Sequence, residues 1–114
     1  MTTLDANFKF THTKGDSFDF TVSITKNDVA INWANEGYIS GVCKVKKDPT
    51  QTAADITLTV DISVNGALRL YASEVINNPI GGYYYDIQFT KTGNKIETWW
   101  NDKMSVFVIV QDIS

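Results

Sequence analysis

Asp55-Ile56-Thr57-Leu58-Thr59-Val60-Asp61-Ile62-Ser63-Val64-Asn65-Gly66-Ala67-Leu68-Arg69-Leu70-Tyr71 decides the fold class. Ile56, Leu58, Val60 and Ile62 fall on one face of an extended chain, and Thr57, Thr59 and Asp61 on the other. Asn65-Gly66 tolerates the two positive φ values of a type I′ turn, so the stretch reads as a β-hairpin. Ala67 to Tyr71 is then the partner strand, with Leu68 and Leu70 facing the core.

The same period-two pattern extends both ways, broken every 8 to 12 residues by turn signals. Upstream, Asn7 to Thr13 is a short strand with Phe8 and Phe10 on one face, and His12 reads as an exposed strand histidine. Lys14-Gly15-Asp16 turns the chain into Ser17 to Thr25, where Phe18, Phe20, Val22 and Ile24 alternate with Asp19, Thr21 and Ser23. Val29 and Ile31 mark a short edge strand. Tyr38 to Lys46 follows, with Ile39, Gly41, Cys43 and Val45 inward. Downstream, Ala72 to Asn78 is read as one helical turn capped at Ser73 and stopped by Pro79. Tyr83, Tyr85, Ile87 and Phe89 alternate with Tyr84, Asp86 and Gln88. Thr92-Gly93-Asn94 closes a second hairpin into Lys95 to Trp100, and Asn101-Asp102 a third into Met104 to Asp112.

Composition agrees with strands. The 114 residues hold 11 Ile, 10 Val and 13 Thr against 4 Leu and 7 Ala, and β-branched side chains suit a pleated surface better than a helix. Residues 1–114 fit a single domain. The expected architecture is all-β: a two-sheet antiparallel β-sandwich of about seven to nine short strands.

Several function classes are disfavoured. With a net charge of −3 and one basic cluster at Lys44, Lys46 and Lys47, the chain lacks the cationic face that nucleic acid requires. No apolar run reaches membrane-spanning length, and Met1-Thr2-Thr3-Leu4-Asp5 does not open a signal peptide. Cys43 and His12 are the sole Cys and His, too few for a zinc site, and no cofactor motif is present. Cys43 lies in an apolar alternation and reads as a buried small hydrophobe rather than a nucleophile. Asp16 and Asp19, or Asn27 and Asp28, read as turn residues rather than calcium ligands. No catalytic residues are assigned, and the chain reads as a non-enzyme.

The last strand departs from simple alternation. Met104, Val106, Val108 and Val110 form one apolar face, while Phe107 and Ile109 make the other apolar too. Such a strand is either covered on both sides or presents a contact surface. Consecutive Trp99 and Trp100 point to opposite faces, so one is free to contact a partner. Trp99, Phe107, Ile109 and Tyr84 are therefore the candidate interaction surface. An alternative uses Trp33, Trp99, Trp100 and Tyr84 as a platform on which a sugar ring stacks.

Asn78-Pro79-Ile80-Gly81-Gly82-Tyr83-Tyr84-Tyr85-Asp86-Ile87-Gln88-Phe89-Thr90, with Gly93, Thr98 and the terminal Val106 to Asp112-Ile113, resembles the ending of small phage-encoded Ig-like β-sandwich domains. Lys14-Gly15-Asp16-Ser17-Phe18-Asp19-Phe20 resembles the opening strand of the same family, which includes the N-terminal domains of baseplate upper proteins and other tail or neck components. The resemblance implies a structural or adaptor protein of a phage or prophage virion, made in the bacterial host cytoplasm. Its partners would be other virion proteins or further copies of itself, with carbohydrate as the alternative ligand.

Overall fold

The computed structural model describes residues 2–4, 8–99 and 106–111, and the described residues form no helix. Eleven strands follow one another: β1 (Thr2–Leu4), β2 (Phe10–Thr13), β3 (Asp19–Ser23), β4 (Thr25–Lys26), β5 (Val29–Ala30), β6 (Tyr38–Lys46), β7 (Ile56–Asp61), β8 (Ala67–Tyr71), β9 (Gly81–Lys91), β10 (Lys95–Trp99) and β11 (Val106–Val110). Nine belong to one sheet of order β1-β2-β11-β9-β6-β7-β8-β3, with β10 also on β9. β4 and β5 make a separate ribbon.

All pairings are antiparallel except β11 with β2, which is parallel, so the sheet is mixed. Its two ends meet across the core. Phe18, just before β3, lies 5.6 Å from Phe10 and 5.5 Å from Phe107 between ring centroids, and Phe20 lies 5.5 Å from Phe10. The main sheet therefore curls nearly into a barrel.

The alternation supplies the core. Leu58, Leu68, Leu70, Tyr83, Tyr85, Ile87 and Phe89 are buried, as is Cys43. Period two from Phe10 also carries His12 inward, correcting its reading as an exposed residue: the ring is 0% exposed. Its Nε2 donates to the Asp16 carbonyl at 3.1 Å, and its Nδ1 lies 2.5 Å from the Thr2 hydroxyl. Burial holds its pKa below the ordinary value against the opposing pull of that carbonyl.

Four other expectations change. The helical turn at 72–78 is absent, because its backbone bonds elsewhere. Ala72 N donates to Phe18 O, Ile76 N donates to Asp16 O, and Ile76 O accepts from Gly15 N. The segment bends at Ser73 and Glu74 and runs beside residues 15–18, with Ile76 buried. A bulge between Tyr38 and Ser40 shifts the phase of β6, leaving Ile39 60% exposed and turning Tyr38 against the core.

The β7–β8 pair is antiparallel as expected, yet its ladder stops at Asp61 and Arg69. Only Gly66, at φ 77°, has positive φ in the Val64–Ala67 turn, as a type II turn requires of its third residue. The type I′ pair stands instead at Asn27 (φ 54°) and Asp28 (φ 64°), between β4 and β5. The loop before β8 is devoted to Trp33, whose indole N–H lies 3.1 Å from Val64 O and 3.2 Å from Ala67 O.

Finally, β10 and β11 run along the same edge of β9. Trp99 pairs with Ile87 and Val106 with Tyr84. An uninterrupted strand would bring residue 102 opposite Tyr84, where Val106 stands. The expected third turn at 101–102, with Trp100 and Met104, lies outside the described residues.

Candidate functional site

β11 settles which of its faces is free. Phe107 pairs with Phe10 and Tyr83, Ile109 with His12, and both are 0% exposed. Phe107 and Ile109 are thus core residues, not the interaction surface that the two-sided apolar pattern suggested. β11 lies between β2 and β9, and its inner residues fill the space that the curled sheet encloses.

The outer face carries Val106, Val108 and Val110, all half-buried. Cross-strand partners point to the same side of a sheet, so registers define this face. Val108 lies between Thr11 and Gly82, Val110 beside Thr13, and Val106 beside Tyr84. Thr3 extends the patch from β1. Every one of these side chains is uncharged, and the charged residues begin at the border of the patch, with Asp86 two residues beyond Tyr84 on β9 and Lys46 paired with Tyr84 from β6. Tyr84, 40% exposed, is the one residue of the expected interaction surface that stands on this face. Gly82 completes it: a Cβ built there meets nothing within 4 Å, and its backbone needs no positive φ. Nothing within the fold requires glycine at that position.

Trp99 belongs elsewhere. Paired with core residue Ile87, it lies on the inner side of the sheet, 4.7 Å from Phe89, 5.7 Å from Tyr38 and 5.9 Å from Trp33. Trp33 is buried at 2% exposure, while Tyr84 faces the opposite side. The platform expected from these residues is therefore not assembled, and Trp100 lies outside the described residues.

Trp99 instead walls a cleft of about 340 Å³. The β4–β5 ribbon contributes Thr25 and Lys26, with Ile24 and Ile31 flanking it; β6 contributes Tyr38 and β10 Glu97. Glu97 and Trp99 are two residues apart in a strand and so project together. The Glu97 carboxylate accepts from the Tyr38 hydroxyl and, at 2.8 Å, from Trp99 Nε1–H, both on Oε2. Lys91 Nζ lies 3.8 Å from the other oxygen and 4.7 Å from the Tyr38 ring centroid. Glu36 is ion-paired with Lys26 across the mouth. The Tyr38 hydroxyl, then the Trp99 N–H, hold the Glu97 carboxyl below its ordinary pKa, while burial and the bond to Glu97 push Tyr38 up to about 12. Glu97 is ionised at neutral pH, the wrong form for a proton donor; the arrangement orients acceptors.

Sequence reasoning reached Trp99 alone among these residues. Lys26, Glu36, Lys91 and Glu97 carry no local pattern, and Tyr38 was hidden by the bulge. Elsewhere, burial pushes the Cys43 thiol far above its ordinary value. Among the described residues no three His, Cys, Asp or Glu side chains converge as a metal site, and no helix is long and apolar enough to cross a membrane. No protein-family model, curated protein or solved structure matches the chain.

Proposed function

We propose that this chain is a small structural or adaptor unit of a phage or prophage particle, in a tail, neck or baseplate, and acts by protein–protein contact through the outer face of β11. The observation that carries the reading is that face: three valines, threonines, an exposed tyrosine and an unrequired glycine, with charges only at its border. A sheet face without charge has no ionic feature to select a complementary partner, and a second copy presents the same uncharged surface. We assign a further copy of the chain as its first partner, since closed homo-oligomers are the commonest soluble assemblies. The resemblance of Gly81 to Thr90 and Lys14 to Phe20 to phage Ig-like domains supplies the particle.

The fold belongs to the same proposal. We read the curled sheet as an Ig-like two-layer sandwich joined through β7, which pairs with β6 over Ile56–Thr59 and with β8 over Thr59–Asp61. The packing of Phe18 and Phe20 on Phe10 and Phe107 is then the contact between layers.

Gly82→Arg tests the contact without disturbing the fold, because the site is open and its backbone ordinary. Sedimentation should show a discrete oligomer for the wild type and its loss in the variant, at equal melting temperature. An oligomer of the same size and strength in both refutes the assignment of this face.

A further inference from the structure

A second surface, separate from the stacking face, has the composition of a ligand site. We infer that the cleft between the β4–β5 ribbon and the β9–β10 hairpin binds a small neutral saccharide, with Trp99 as its aromatic wall and Glu97 as its principal hydrogen-bond acceptor.

Size is the first argument. At about 340 Å³ the cleft stands at the small end of ligand sites, roughly 300–1,000 Å³, and accommodates one or two sugar rings but not an extended polymer. Its lining is mixed in the way a pyranose requires. One face of such a ring is a patch of C–H groups that packs on an aromatic side chain, and its rim is a row of hydroxyls that donate to carboxylates.

Charge is the second. Lys26 and Lys91 are matched by Glu36 and Glu97, each pair in ionic contact, so the lining carries no net charge. An anionic ligand would meet the two carboxylates, and a cationic one the two ammonium groups. The cation position over the Tyr38 ring is already filled by Lys91. A neutral polyhydroxyl ligand meets no such penalty, and charge-assisted hydrogen bonds to ionised groups give it orientation.

Preorganisation is the third. Tyr38 and Trp99 both donate to Oε2 of Glu97, fixing the carboxylate, while Oε1 stands 3.8 Å from Lys91 Nζ, beyond hydrogen-bonding distance. A hydroxyl placed between them accepts from the ammonium group and donates to Oε1, bridging the pair.

The test is a titration of the isotope-labelled full chain, observed by two-dimensional NMR, with methyl glycosides of glucose, galactose, mannose and N-acetylglucosamine. Sialic acid and choline serve as anionic and cationic comparators. The expected result is saturable shifts at the Trp99 indole and the amides of residues 24–26 and 36–38 with at least one neutral glycoside, at millimolar Kd. Glu97→Gln, which keeps a hydrogen-bonding group of the same shape, should weaken binding about tenfold, as expected for losing a charge-assisted bond. Glu36→Gln should weaken it less. The inference is overturned if no neutral glycoside gives saturable shifts at the cleft, if sialic acid or choline binds more tightly than all of them, or if Glu97→Gln binds like the wild type. Gly82→Arg lies on the opposite face and should bind sugar unchanged, so failure of the stacking face and failure of the cleft are separately visible.

Discussion

Replacing Phe107 with alanine measures whether β11 is seated as described. The side chain is 0% exposed and its ring lies within 6 Å of two others, at 5.5 Å from Phe18 and 5.9 Å from Phe10. Truncation removes the buried ring and leaves a cavity where β2, β3 and β11 meet, so the cost should fall at about 3–5 kcal/mol. Domains are stable by roughly 5–15 kcal/mol, so this is a large fraction of the total. At about 4 °C per kcal/mol for a chain of this size, the melting temperature should drop by about 12–20 °C. Val108→Thr, an outward change of similar shape, should cost less than about 1 kcal/mol. Urea unfolding followed by tryptophan fluorescence measures both. A loss below about 1 kcal/mol for Phe107→Ala, with a larger one for Val108→Thr, would mean that β11 is slipped by one residue, which exchanges its faces.

Three further outcomes follow from other parts of the core. His12 has a folded pKa below its unfolded value near 6.5. The unfolded chain therefore takes up the proton first, and stability should fall as pH drops below about 6.5, with a slope of at most about 1.4 kcal/mol per pH unit. His12 is the only histidine, so stability should decline between pH 7.5 and 5.5 in the wild type, and that decline should be absent from His12→Gln. The Cys43 thiol is fully buried, and a colourless-to-yellow thiol assay should find it at least about a thousandfold slower in the native chain than in urea. Gly66→Ala places a Cβ 2.7 Å from that of Ala30 at φ 77° and should destabilise by roughly 1–3 kcal/mol, whereas Gly82→Ala, in open extended backbone, should be neutral or stabilising by up to about 1 kcal/mol; paired thermal melts decide both.

Local alternation was a sound guide wherever one face of a strand meets the core. Phe18, Leu58, Leu68, Tyr83, Tyr85, Ile87 and Phe89 all stand where period two puts them. It failed where a distant segment intervened. The 72–78 stretch carries helix signals, but its backbone groups find partners at residues 15–18. One bulge residue exchanged Tyr38 and Ile39, and that phase change also built a wall of the cleft. Asn65-Gly66 has hairpin chemistry, yet the demand of the Trp33 indole for acceptors shaped the loop. The two-sided apolarity of β11 was visible, but which side is covered depends on pairing with β2, nearly a hundred residues earlier. The cleft was illegible for the same reason: the β6–β9–β10 register brings Tyr38, Lys91, Glu97 and Trp99 together, and the separate β4–β5 ribbon adds Lys26.

The central claim is that the uncharged outer face of β11 is a contact between copies, and the solution mass of the chain tests it most directly. Light scattering across a wide concentration range should give a discrete multiple of 12.7 kDa, approached from the monomer as concentration rises. A mass of 12.7 kDa at every concentration would contradict it.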